Sequence, residues 1–443
     1  MGAILIRGAT VLTGDASMPV RRHHDVLIDG NRIAAVGAGF AAPTGAEVID
    51  GTGALVMPGL IDTHNHAWQY AARGIGMRLW GHRIYQERIA SLRERYAPQD
   101  VYESIHAAGL DMIERGITGS LDFFHAAVTE EHGFSALQAH EATGQRVLLA
   151  YGMGLGYPFH GQKHFAPPVD ERLARVARLR ARATGARVEV GIGASGVATS
   201  DDFWTELDFA RSIGARTSMH QNGAREIARI GERGALGPDF VPVHCNALSD
   251  RELDLLAEAD VPISVTPECE CSVGRSLTVI GRAFRHGVRI SFGIDTAGSA
   301  HIDLLQQLRI GYRLMQYLDA GAARDGARLP IFDDTDPPSA GPDDFLRAAT
   351  ANAAHALGRA DLGRIEAGCL ADVVLVRPTD RDAAETDPVG HLVLVGAERR
   401  EIDTVIIDGV VRKRDGVLVG VADAAERAAR LSATRSRILA AGD

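Results

Sequence analysis

Leu55-Val56-Met57-Pro58-Gly59-Leu60-Ile61-Asp62-Thr63-His64-Asn65-His66 is an apolar run that ends in two histidines one residue apart. Residues i and i+2 of a strand project to the same face. His64 and His66 therefore present two imidazoles side by side where a buried strand runs out. That is half of a metal site, and the rest of the chain can be searched for the other half.

Seven further apolar runs follow. They are Ile117–Phe124, Arg146–Tyr151, Arg187–Ala194, Thr217–His220, Phe240–His244, Pro262–Thr266 and Arg289–Ile294, after a first run at Leu55–Ile61. Helical patterns separate most of them, for example Pro98–Arg115, Asp170–Thr184, Ser200–Gly214 and Ser249–Ala259. Strands alternating with helices pair in parallel. Eight such units predict an α/β fold, a (β/α)8 TIM-type barrel with its chemistry at the C-terminal strand ends. A doubly wound sheet is the other fold considered. It lacks a dinucleotide fingerprint, because Gly152-Met153-Gly154-Leu155-Gly156 and Gly191-Ile192-Gly193 do not open helices.

The two ends of the chain look alike. Short β-type runs occupy Ile4–Leu12, Asp25–Ile28, Arg32–Val36 and Glu47–Ile49 near the start. Ala371–Val376, Thr404–Ile407 and Val410–Arg412 occupy the other end, the last two joined by Asp408-Gly409, a strong hairpin signal. One composite β-sandwich built from both termini is expected. Residues 1–54 form its first part, 55–368 the catalytic barrel, and 369–443 its second part plus a C-terminal helix at Ala424–Leu439 capped by Asp423. The Gly-, Pro- and Asp-rich stretch Ala320–Phe345 reads as a lid or a surface loop.

Composition narrows the partners. The 443 residues carry a net charge of −10, with 46% apolar and 23% charged residues, as in an ordinary globular protein. No basic cluster suits nucleic acid or an anionic membrane, and no apolar run reaches membrane-spanning length. Met1–Arg7 lacks a signal-peptide pattern. Cys245, Cys269, Cys271 and Cys369 make no disulfide framework. The expectation is a cytoplasmic homo-oligomer, a dimer, acting on a small molecule.

The strand ends supply the missing donors. The fifth run ends in Met219-His220-Gln221, the sixth in Val243-His244-Cys245-Asn246 and the eighth in Gly293-Ile294-Asp295-Thr296. A lone histidine is usually a satisfied core residue. Four histidines and one aspartate on one barrel rim fit a borderline divalent cation, with a position left for water.

With Pro58-Gly59-Leu60-Ile61-Asp62-Thr63-His64-Asn65-His66, His220, His244 and Asp295 in place, the chain resembles the amidohydrolase superfamily, and within it the cytosine deaminase and triazine hydrolase branch. Ala351–Gly358 followed by Gly363–Asp372 is similar to that branch's return to its β-domain. The resemblance implies one metal held by His64, His66, His220 and Asp295, with His244 close to the reacting water or substrate. Zinc is the first expectation; iron and manganese fit the same donors. Binuclear relatives bridge two metals with a modified lysine on strand four. The lysines here, Lys163 and Lys413, both lie away from the end of that strand, so a mononuclear site is favoured.

One position departs from the pattern. Ring deaminases of this kind carry a proton-shuttling Glu three residues after the strand-five histidine, and Gly223 stands there. Glu268, just past strand seven in Val265-Thr266-Pro267-Glu268-Cys269-Glu270-Cys271, is the expected substitute. Glu270 shares its face if the strand continues, and Glu226 is a lesser candidate. His125 at the end of strand two, Trp80 and His160 are expected to line the substrate pocket, with Trp68 and His164 as weaker candidates. Cys245 faces away from His244, which argues against Cys–His catalysis.

The function expected is a metal-dependent hydrolase of aminohydrolase type. It acts on a C–N or related C–X bond of a small nitrogenous heterocycle. Asp295 accepts the water's proton, His244 polarises the electrophile and Glu268 protonates the leaving nitrogen. The alternatives are a cyclic amidase, or a metal-binding barrel with dehydratase, isomerase or lost activity, because Gly223 replaces the usual Glu.

Overall fold

A computed structural model describes residues 2–15, 20–75, 78, 81–152, 167–183, 185–194, 198–221, 223–273, 277–298, 300–322 and 338–440. Eight parallel strands follow one another around a barrel in chain order: Leu60–Asn65, Ile117–Phe124, Arg146–Tyr151, Val188–Gly193, Thr217–Gln221, Phe240–His244, Ile263–Val265 and Ile290–Phe292. All eight expected runs contribute a strand. The expected helices form too, at Pro98–Glu114, Val169–Arg182, Asp201–Ser212 and Asp250–Glu258. The last of these starts in a capping box, with Ser249 Oγ accepting from Glu252 N.

Strands eight and one close the barrel through backbone bonds just past their ends. His66 N donates to Asp295 O (2.9 Å), and Asp295 N donates to His64 O (2.8 Å). The approach is so tight that a Cβ on Gly293 would lie 2.6 Å from His64 O, so only glycine fits there.

The second sheet has nine strands and takes them from both chain ends. Its order places Leu55–Pro58 between Ile4–Leu12, which it pairs in parallel, and Val373–Val376, which it pairs antiparallel. One sheet is thus drawn from both chain ends. The run Leu55–Ile61 splits at Gly59: Leu55–Pro58 belongs to the outer sheet and the barrel begins at Leu60. Gly59 N donates to Asp372 O (2.9 Å), while Leu60 N already donates to Gly116 O (3.0 Å). A Cβ at Gly59 would meet Thr118 Oγ1 at 2.0 Å, so a glycine is needed where the chain crosses between sheets. Only Pro58-Gly59 marks that crossing within what reads as one apolar run.

Asp408-Gly409 joins Ile402–Ile407 to Val410–Arg414 as an antiparallel hairpin, as expected. The C-terminal helix spans Ala424–Ala440, with Asp423 Oδ1 accepting from Glu426 N (2.9 Å). It packs on Pro98–Glu114, where Arg437 Nε donates to Asp100 (2.9 Å). The Ala320–Phe345 stretch begins inside a helix, Leu304–Ala322, and ends in another, Pro342–Ala348; residues 323–337 lie outside the described residues. No helix among the described residues is long and apolar enough to cross a membrane.

Charge fastens the outer sheet to the barrel. Arg146, 3% exposed at the start of strand three, donates to Asp372 (2.8 Å) and Asp408 (2.6 Å). Asp408 N in turn donates to Asp372 Oδ1 (2.8 Å). Removing one member of a buried pair costs about 3–5 kcal/mol, because the other charge stays buried. Arg146→Ala should lower the melting temperature markedly, and Arg146→Met with Asp372→Asn should recover much of the loss. A melting curve unchanged by Arg146→Ala would contradict this role.

Candidate metal centre

The side chains of His64, His66, His220, His244 and Asp295 converge at the C-terminal mouth of the barrel. His64, His66 and Asp295 form one group with ligand atoms within 4.8 Å of one another, and His64, His220 and His244 form a second. Asp295 Oδ1 lies 3.6 Å from His64 Nε2 and 3.3 Å from His66 Nε2. Asp295 Oδ2 lies 3.9 Å from His244 Nε2, and His220 Nε2 faces His66 Nε2 at 3.4 Å. The two groups share His64 and so form one cluster.

The hydrogen bonds behind the rings explain their orientation. His66 Nδ1 donates to Phe123 O (2.8 Å), which turns its Nε2 lone pair into the cluster. His64 is fully buried, and among the described residues neither of its ring nitrogens meets a hydrogen-bond partner. His220 Nδ1 is likewise without one. A buried imidazole with nothing to bond is costly, so these donor atoms fit a cation. The ring of Phe123 packs edge-on against His64, His66 and His220 and shields them from water.

Burial keeps the rings neutral, the state a ligand requires. It holds the His64 imidazole at about 4, with the neighbouring His66 and His244 acting in the same direction against Asp295. It also pushes His220 and His125 well below the ordinary range, with His66 and His64 helping in both cases. Burial opposes ionisation of Asp295, but the His64 and His66 imidazoles beside it prevail and hold its carboxyl well below the ordinary range.

Two of these residues sit in strained backbone. His244 has φ 72° and Asp295 has φ 65°, the left-handed region that non-glycine residues seldom enter. Such conformations cost about 1–3 kcal/mol each and cluster at functional sites. Both positions lie at or just past the C-terminal ends of barrel strands. Beneath, Asp62 Oδ1 accepts from His64 N (3.1 Å) and Ile294 N (3.2 Å), tying strand one to strand eight.

His125 joins the cluster, its ring 4.3 Å from that of His66 and bonded through Nδ1 to Phe123 O (3.2 Å). Trp68 is fully buried and stacks edge-on with His125 and Tyr96, so it supports the wall from behind. Trp80, His160 and His164 lie outside the described residues. Lys413 sits in the outer sheet, where its Nζ donates to Glu114 O and Arg399 O, remote from strand four.

The structure does not bring Glu268 to the cluster. Its carboxylate accepts from Gln307 Nε2 (2.8 Å), Gln306 Nε2 (3.4 Å) and His301 N (3.4 Å). There it borders a cavity of about 1070 Å³ beside the C-terminal helix, whose Arg115, Arg399 and Arg427 are paired with Asp111 and Glu114. The physical reason is local. Pro267–Val273 is a helix that begins directly after strand seven, not an extension of the strand. Two residues along a helix turn by about 200°, so Glu268 and Glu270 face opposite ways.

Glu270 is the one that reaches the site. Its Oε1 accepts from Thr266 N (2.8 Å) and Thr266 Oγ1 (3.2 Å) and lies 3.4 Å from His244 Nδ1. Thr266 Oγ1 is 3.0 Å from the same nitrogen. Thr266 was readable as a polar strand tip, like the histidines, but does not figure in the sequence expectations. Glu226 is buried behind strands five and six, accepting from Gly223 N (2.9 Å) and Gln221 Nε2 (3.4 Å). Its carboxylate fills the space a side chain at Gly223 would enter.

A (β/α)8 barrel with this rim of imidazoles and one carboxylate defines the class: a hydrolase built to hold a divalent metal. The profile of the amidohydrolase family matches residues 55–412, and the chain belongs to that family. A 5-methylthioadenosine/S-adenosylhomocysteine deaminase of Pelotomaculum thermopropionicum is 28% identical, covering 97% of this chain and 99% of the relative. A 5'-deoxyadenosine deaminase of Methanothermobacter thermautotrophicus is 29% identical, covering 94% of each. Among solved structures, an adenosine deaminase from Xanthomonas campestris with bound zinc superposes with a TM-score of 0.83 at 21% identity, covering 99% of this chain and 98% of that one. An atrazine chlorohydrolase from Arthrobacter aurescens complexed with zinc gives 0.82 at 24%, covering 98% and 100%.

The neutral imidazoles set a pH dependence. His64 binds its proton at about 4 in the folded chain, against an ordinary value near 6.5. Between these values the unfolded chain holds more protons, so stability falls as pH falls. Metal-stripped protein should melt progressively lower from about pH 6.5 down to about pH 4. A melting temperature that is flat or rises on acidification across that window would contradict neutral burial of the cluster.

Proposed function

We propose that this chain is a mononuclear aminohydrolase that releases ammonia from an amino-substituted nitrogen heterocycle, of the adenine-nucleoside class. One observation carries the reading: at the barrel mouth the ring nitrogens of His64 and His66 lie against the Asp295 carboxylate and His220 Nε2 faces His66 Nε2, with no partner among the described residues that would satisfy His64. The names of the related deaminases support the substrate class.

His64, His66, His220 and Asp295 would hold the ion, zinc by preference for imidazole-rich sites. Such an ion supplies Lewis acidity and lowers the pKa of water toward neutrality. The net reaction adds water across a ring carbon, forming C=O and breaking C–NH2, with the nitrogen leaving as ammonia. Asp295 is placed to take the proton of the attacking water, since Oδ2 is turned to the His244 side. His244, anchored at Nδ1 by Thr266 and Glu270, directs Nε2 to the mouth and orients the electrophile. Gly223 contributes no acid, so the proton that Asp295 receives is passed on to the leaving nitrogen within the Asp295–His244 pair. The walls of Phe123, Trp68 and His125 exclude bulk water.

Elemental analysis should find about one divalent ion per chain. His220→Ala or His66→Ala should remove ion and ammonia release together while circular dichroism stays native; two ions per chain would overturn the mononuclear site. Glu270→Gln should lower kcat by about 10- to 100-fold with the ion retained, as for other groups that orient a reacting imidazole. Glu268→Gln should leave kcat near the wild-type value. A reversed order of those two effects would refute the assignment made from the helix at Pro267–Val273.

A further inference from the structure

Three consecutive residues at the tip of strand one are held by three consecutive residues of strand two. Asn65 Nδ2 donates to Leu121 O (3.2 Å), His66 Nδ1 to Phe123 O (2.8 Å) and Ala67 N to Asp122 Oδ1 (3.1 Å). Two of these acceptors are main-chain carbonyls, which any residue offers. Only Asp122 holds the tip with a side chain. Phe123 turns its ring to the imidazoles, so its neighbour Asp122 points out of the barrel. There it meets His140 of the helix Glu130–Thr143, whose Nε2 donates to Asp122 Oδ2 (2.8 Å). Asp122 is fully buried and His140 is 2% exposed.

This pair carries a charge. A histidine that gives its Nε2–H to Asp122 has a bare Nδ1 when neutral, and among the described residues that Nδ1 meets no partner. An imidazolium would bury a second N–H without an acceptor, which costs more. The neutral ring therefore fits, and Asp122 keeps its negative charge. Among the described residues no other side chain forms an ion pair with it. An unanswered carboxylate thus lies behind His66, in an interior where charges act strongly over distance. Burying such a charge is costly, and a divalent ion on the far side of His66 would offset that cost. We propose that Asp122 is a positioning residue for the metal centre, which fixes the turn after His66 and by its charge strengthens the hold of His64, His66, His220 and Asp295 on a divalent cation. The inference rests on the metal centre and not on the ammonia-releasing reaction. Groups behind a metal-binding histidine commonly act through its ring. Here the carboxylate acts through the main chain next to the ligand, while Phe123 O holds the ring.

The test measures the zinc affinity of the full chain by competition with a chromophoric chelator. Asp122→Asn keeps the size of the side chain and an oxygen for Ala67 N but removes the charge. It should bind zinc about 10- to 100-fold more weakly than the wild type. Arg146→Ala, destabilised at the opposite end of the barrel, should bind zinc as the wild type does. A merely structural Asp122 would lower the melting temperature of the metal-stripped chain and leave zinc affinity unmoved. His140→Leu, which strips the carboxylate of its donor, should also weaken zinc binding. His140→Gln, which retains an N–H for Oδ2, should recover it. This second pair of variants decides the matter if Asp122→Asn fails to fold. Wild-type zinc affinity in Asp122→Asn or in His140→Leu, or a loss that His140→Gln does not recover, would overturn the role of Asp122 and leave the metal centre intact. A wild-type chain that binds no zinc would overturn the metal centre itself, and this role with it.

Discussion

The hydrogen bonds that close the barrel also assemble its chemistry. His66 N to Asp295 O and Asp295 N to His64 O join the last strand to the first. They hold the carboxylate of one beside the imidazoles of the other. Gly293 makes the join possible by letting the two backbones meet, and Asp62 bridges them from below. A barrel that failed to close here would lose its donor set at once. In this fold the stability of the cylinder and the geometry of the site are therefore one constraint.

The cost of that arrangement is visible in the same residues. Several imidazoles are buried, and one has no hydrogen-bond partner at either nitrogen among the described residues. Two strand tips take left-handed backbone to aim their side chains. Burying unpaired polar groups costs on the order of 1–3 kcal/mol apiece, and the large surrounding core must offset it. A bound cation removes much of this penalty by supplying the missing partner. Metal and fold are thus coupled.

Much of this was legible in the chain itself. The eight apolar runs mark the barrel because strands buried on both faces read as continuous hydrophobic stretches. His64, His66, His220, His244 and Asp295 stand out as candidates because each ends such a run. Two features were hidden. The passage between sheets at Gly59 is marked only by Pro58-Gly59 inside what reads as one apolar run. The helix after strand seven begins at a proline, and treating Pro267–Cys271 as extended put Glu268 and Glu270 on one face. The turn sends Glu268 outward and Glu270 inward, a difference set by backbone conformation rather than residue type.

The central claim is that one ion sits among His64, His66, His220 and Asp295. A crystal of the zinc-loaded protein, with anomalous data collected at the zinc edge, tests it most directly. The account predicts a single strong anomalous peak, with three imidazole nitrogens and the Asp295 carboxylate at about 2.0–2.2 Å. Two peaks in the mouth, a peak held by other side chains, or none at full zinc loading would contradict it.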